Sequence, residues 1–151
     1  MNRKFALGLG GALAAVALGV SAAGPKPEDV VEYRQAMMYG LGWNVGAMGA
    51  MVKGDVPWDQ KKFAFLAGRA AALAPMAREG FTPETAKIKS HAKAELWDNL
   101  PDFDKRTDEM NAAMKKLSEV TLAGDEAASK QQFGESVKVC KGCHDKYKAK
   151  D

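Results

Sequence analysis

Apolar side chains recur along most of this chain in alternating steps of three and four. Between about Pro27 and Lys53 they fall at Val31, Met38, Leu41, Val45, Met48 and Val52, the stripe of a helix that buries one face. Gly54-Asp55-Val56-Pro57 ends the pattern. A second helix is predicted after Asp59, whose carboxylate suits the free N–H groups of a first turn. It buries Phe63, Leu66, Ala70, Leu73 and Ala77. Pro75 lacks an N–H and is expected to kink its last turns. Gly80, Thr82 and Pro83 open a loop, with room for a short turn, that lasts to about Asn99. A third helix takes Asn99 as N-cap and Pro101 in its first turn, with Phe103, Thr107, Met110, Met114, Leu117 and Thr121 inward. Ala123-Gly124-Asp125 makes the next turn, and Asp125 caps a fourth helix whose inner face is Phe133, Val137, Cys140, His144 and Tyr147. Four helices joined by mostly short connections predict an all-α fold, an antiparallel up-down-up-down four-helix bundle.

The N-terminus breaks this pattern. Arg3 and Lys4 precede an uncharged apolar run from Phe5 to Val20, and the small residues Ser21-Ala22-Ala23 follow. That order predicts a secretory signal peptide over residues 1–23, with cleavage near Ala22 or Ala23. A membrane anchor is the competing reading, and the small residues favour cleavage. Residues 24–151 then form one exported domain, in the periplasm and free of the membrane. The whole chain carries 22 basic and 19 acidic residues, a net +3; removing Arg3 and Lys4 leaves +1. So balanced a charge excludes a nucleic-acid footprint. Export also raises the question of cysteine, since a bare vicinal pair outside the cytoplasm tends to oxidise.

The chain has two cysteines, both in "VCKGCHDKYK" at 139–148. On a helix, Cys140, Cys143 and His144 share one face, and Cys140 and His144 lie in phase with Phe133. Two thiols then reach one planar partner while the imidazole aims at its centre. Cys-x-x-Cys-His is the attachment signature of c-type haem, two thioethers plus a histidine ligand. A thioredoxin-like dithiol belongs beside a βαβ pattern, which is missing. Structural zinc needs four ligands, and His91 is the sole other histidine. A Cys140–Cys143 disulfide would close a very short loop with little gain. Arg34 also falls on the inward face of the first helix, where its guanidinium needs a partner. Haem propionates would supply one; so would water at the helix end or an acidic side chain. His91 reads as an ordinary loop histidine, and Trp97 as a residue closing the bundle near the haem.

"EYRQAMMYGLGWN" at 32–44, "AELWDN" at 94–99 and "CKGCHDKYK" at 140–148 resemble cytochrome c′ and its class II c-type relatives. The likeness spans essentially all of residues 24–151, a haem-binding four-helix bundle. It implies one haem c joined through Cys140 and Cys143, with His144 as axial ligand. It also implies Arg34 and Gln35 along the propionate edge and Lys148 beside the proximal face. A residue four after the arginine covers the distal face, here Met38. In the cytochrome c′ pattern that residue leaves a five-coordinate iron open to nitric oxide or carbon monoxide. In low-spin relatives a methionine there is the sixth ligand of a simple electron carrier. Gly42-Trp43-Asn44 is similar to the first group, and the short loop after the second helix to the second.

The family often forms homodimers through its first two helices. That fits the stripe Gly42, Gly46 and Gly49, since each helical glycine costs about 1 kcal/mol against alanine unless close packing offsets it. Lys138, Lys141, Lys146, Lys148 and Lys150 ring the haem motif, either as a solvated face or as a rim that steers an acidic redox partner protein. Nothing resembles a general acid–base pair, so the expectation is an electron-transfer and gas-binding protein, not an enzyme. The rival from another class is a thiol–disulfide oxidoreductase using Cys140 and Cys143.

Overall fold

A computed structural model of the protein describes residues 24–150. The expected signal peptide lies outside the described residues. Five helices follow in order: α1 (Pro27–Lys53), α2 (Gln60–Glu79), the single-turn α3 (Glu95–Asp98), α4 (Leu100–Leu122) and α5 (Glu126–Tyr147). Among the described residues no strand forms and no helix is long and apolar enough to cross a membrane.

The ends of the helices follow local chemistry. Asp59 and Asp125 accept from the N–H groups of Lys62 and Ala128, and Gly54 ends α1 at φ 81°, a left-handed position that favours glycine. Asn99 departs from expectation. It precedes α4 without a side-chain cap, and its Nδ2 donates back to the Glu95 carbonyl at 3.0 Å. α2 runs continuously through Pro75, which is itself exposed.

α1 packs on α2, α2 on α4 and α4 on α5, while α1 and α5 barely touch. Three seams of the bundle are closed and the fourth is open. The main core lies between the closed seams: Met48, Phe63, Ala67, Ala70, Met114 and Leu117 are fully buried, and Phe63 meets Phe133 edge to face at 5.9 Å. The inner face of α4 is the expected set, from Phe103 to Thr121. α1 drifts by one position along its length and buries Met51 rather than Val52.

The fourth helix corrects the expectation more clearly. Its buried residues are Ser129, Phe133, Ser136 and Tyr147. Ser136 is small enough to sit against α4, where its hydroxyl lies 3.2 Å from the Ala113 carbonyl. Val137, Cys140 and His144 lie instead toward the open seam, with Val137 36% exposed.

The stretch from 80 to 99 is more built than its sequence suggested. A 3-10 turn (Pro83–Thr85) and α3 punctuate it. Gly80 is buried where α2 meets α1; a Cβ there would lie 2.5 Å from the Arg34 Cβ and 2.9 Å from the Val30 carbonyl oxygen. Ala92 forms an antiparallel bridge with Lys148, tying the loop to the chain's end.

Candidate functional site

The open seam encloses a cavity of about 940 Å³. One wall is α5, with Val137, Cys140, Cys143, His144 and Tyr147; the facing wall is α1, with Arg34, Gln35, Met38, Leu41 and Val45. Phe103, Arg106, Thr107 and Met110 of α4 form the floor, and Phe81, Ser90, His91 and Leu96 close one end. Arg34, Gln35, Met38, Cys140, Cys143, His144 and Lys148 therefore meet in one space, while Trp97 lies outside its lining. The lining is mostly apolar, and the volume is at the upper end of the ~300–1,000 Å³ that encloses a large organic ligand.

Burial pushes the thiols of both Cys140 and Cys143 up; Arg106 partly opposes this at Cys143. Protonated thiols are poor nucleophiles, and a dithiol enzyme works through a depressed pKa. His144 is held down first by burial and then by Lys148, with Asp145 opposing. Its imidazole stays neutral, the form that binds iron. Among the described residues no group of three or more His, Cys, Asp and Glu is placed to hold a metal ion, so a structural zinc site has too few ligands.

Arg34 is 2% exposed. Its Nη1 donates to the Gly80 carbonyl at 2.8 Å and to Thr85 Oγ1 at 2.7 Å, and its Nη2 to Ser90 Oγ at 2.9 Å. The guanidinium lies 4.5 Å from the Phe81 ring centroid and 5.6 Å from that of Trp97. None of its three hydrogen bonds goes to a carboxylate. A buried cation held only by neutral acceptors beside a large apolar cavity is suited to an acidic group on whatever fills it.

Sequence reasoning missed the network at the other end. Asp102 accepts from Tyr147 at 2.6 Å, Arg106 at 2.8 Å and Lys146 at 2.9 Å. Its carboxyl is held far below the ordinary range by these bonds, Tyr147 first. The i,i+4 spacing of Asp102 and Arg106 was a legible signal; the tie to α5 was not. His91 and Ser90 also line the cavity, and their loop gave no periodicity to place them.

Residues 29–148 match the family described as cytochrome C′. The chain belongs to the cytochrome c′ family. The cytochrome c′ of Halomonas halodenitrificans is 35% identical over 130 residues, covering 82% of this chain and 98% of its own. The solved cytochrome c prime of Shewanella frigidimarina is 36% identical, with a TM-score of 0.81 over 85% of this chain and 100% of its own. A nitric oxide complex of a cytochrome c prime variant from Alcaligenes xylosoxidans is 29% identical with a TM-score of 0.78, over 85% of this chain and all of its own. A further cytochrome c′ structure, 32% identical with a TM-score of 0.78 over the same shares, has a ligand-controlled dimer dissociation.

As a member of the cytochrome c′ family, this chain is a c-type haem protein that transfers electrons or binds gases. The residues present fit that group. Two thiols and a neutral imidazole stand on one wall of an apolar cavity of sufficient size, and a buried arginine without a carboxylate partner stands at its edge.

Proposed function

We propose that this protein is an exported, periplasmic cytochrome c′ that moves single electrons and binds nitric oxide or carbon monoxide, and is not an enzyme. Residues 1–23 are its signal peptide and residues 24–151 its haem-binding bundle. Cys140 and Cys143 would hold one haem c through thioethers, and His144 would bind its iron. When bound, the haem supplies an iron that changes oxidation state by one electron and accepts a small diatomic ligand. The observation that carries this reading is the placement of Cys140, Cys143 and His144 together on the α5 wall of the 940 Å³ cavity.

The other walls have separate tasks. Arg34 offers a fixed positive charge, and Gln35 an amide, to the acidic edge of the group. Met38, Leu41 and Val45 line the α1 side of the cavity with side chains that donate no hydrogen bond. Such a surface favours diatomics that need no donor over dioxygen. The nitric oxide complex solved for the Alcaligenes xylosoxidans variant supports the same ligand class here.

A second reading has one specific observation behind it. Met38 brings a thioether to the same cavity as His144, and a sulfur bond from it would make a low-spin electron carrier.

Expression in an exporting host with haem-attachment machinery tests the assignment. The expected product is red, heavier by one haem, and resistant to alkylation at both cysteines. A colourless protein with two freely titratable thiols would overturn it in favour of the thiol–disulfide reading.

A further inference from the structure

The last carbonyls of a helix have no intrahelical donor, and α5 ends at Tyr147, three residues after His144. The His144 carbonyl receives the Lys148 N–H at 3.0 Å. The next three all receive donors from one residue outside the helix. Lys93 Nζ donates to the carbonyls of Asp145 and Lys146 at 3.3 and 3.1 Å, and the Lys93 backbone N–H donates to the Tyr147 carbonyl at 2.9 Å. The Ala149 N–H then returns to the His91 carbonyl at 2.8 Å. An ammonium at this end of a helix also meets the negative pole of its dipole.

Lys93 is itself held. Its loop is tied back through Ser90, whose hydroxyl accepts from the Ala92 N–H at 3.3 Å and from Arg34 at 2.9 Å. On the opposite side of the same turn, Asp102 of α4 grips Lys146 and Tyr147. The turn that presents His144 is therefore clasped from two directions. Lys93 and His144 also line one polar recess at the end of α5.

We propose that Lys93 is a positioning residue for His144: by donating to the three terminal carbonyls of α5 it fixes the turn from which the imidazole reaches the iron. The proposal rests on reading His144 as the axial ligand. Groups that orient a metal-binding histidine shape its bond as well as its place. A lysine that merely stabilised the helix would alter melting and leave that bond as it was.

The test is the iron–histidine stretching band of the ferrous holoprotein, read by resonance Raman in the Met38→Ala background so that no side chain occupies the sixth position. Lys93→Met should shift the band to lower frequency and broaden it, Lys93→Arg should restore it, and Lys138→Met, an equal loss of charge elsewhere on α5, should leave it in place. If Lys93→Met fails to take up haem, Lys93→Gln, which keeps an N–H donor, is read by the same band and should show a smaller shift. An unmoved band in a folded Lys93 variant would overturn the positioning role while leaving His144 as ligand. Absence of the band from the parent protein would remove the ligand assignment and, with it, this proposal.

Discussion

Asp102 shows how much one side chain can organise at this site. Three donors, Tyr147, Lys146 and Arg106, converge on a carboxyl that is only partly covered. Its folded pKa lies below the ordinary carboxylate value near 3.9. A depressed pKa contributes stability that is fully present above that value and is lost as pH falls through the folded one. Asp102→Asn should therefore melt at lower temperature than the parent at pH 7. The gap should narrow below about pH 4, which paired thermal melts across that range would check. Arg34 contrasts with it in being fully enclosed. Replacing it with Met strips donors from the Gly80 carbonyl, Thr85 and Ser90 at once, and should lower stability by about 2–4 kcal/mol in urea unfolding. At Met38 the question is spectroscopic. If it only covers the iron, Met38→Ala leaves the ferrous spectrum high-spin and unchanged apart from faster carbon monoxide binding. A low-spin to high-spin change would mean its sulfur was bound.

At the scale of elements, the contact between α2 and α1 is set by the smallest residue. Gly80 lies where any Cβ would strike backbone atoms of α1. Gly80→Ala should cost about 1–3 kcal/mol by urea unfolding and loosen the loop that Arg34 holds. Not all the helical glycines behave this way. Gly49 lies near Phe133, whereas a Cβ at Gly42 or Gly46 would meet nothing within 4 Å. The close helix approach expected from this stripe is thus not made to Gly42 or Gly46 within one chain. Gly46→Ala should stabilise the monomer by about 1 kcal/mol. If α1 also forms a subunit interface, the same change should weaken the dimer. α5 has a related lesson: the position taken for core, Val137, faces the cavity, and Ser136 packs against α4 in its stead.

For the whole molecule, the features that matter are the open seam and the outer face of α1 and α2. Tyr39, Trp43 and Phe65 are 72%, 65% and 64% exposed, a large apolar surface for one small domain. A homodimer through α1 and α2 would cover them. Sedimentation at micromolar concentration should show a dimer that Trp43→Lys disrupts; a monomer in the parent would remove the idea. Three of the five lysines around the two cysteines are paired within the chain. Lys138, Lys141 and Lys146 pair with Glu135, Asp145 and Asp102. Electron-transfer rates with an acidic partner should therefore fall only modestly as salt rises.

What the sequence determined by itself was local or periodic. The four long helices, two aspartate caps and the inner face of α4 follow from spacing and side-chain chemistry within a few turns. The grouping of Cys140, Cys143 and His144 on one cavity wall was legible for the same reason, since they are neighbours along a single helix. The tertiary structure decided what depends on residues far apart in the chain. That α1 and α5 fail to close on each other turned an inward face into a cavity wall. Arg34 found its neutral acceptors more than forty positions away, and Lys93 reached across more than fifty to the end of α5. An irregular loop has no repeat to betray where its side chains go; its partners are set by the packing of the helices it joins.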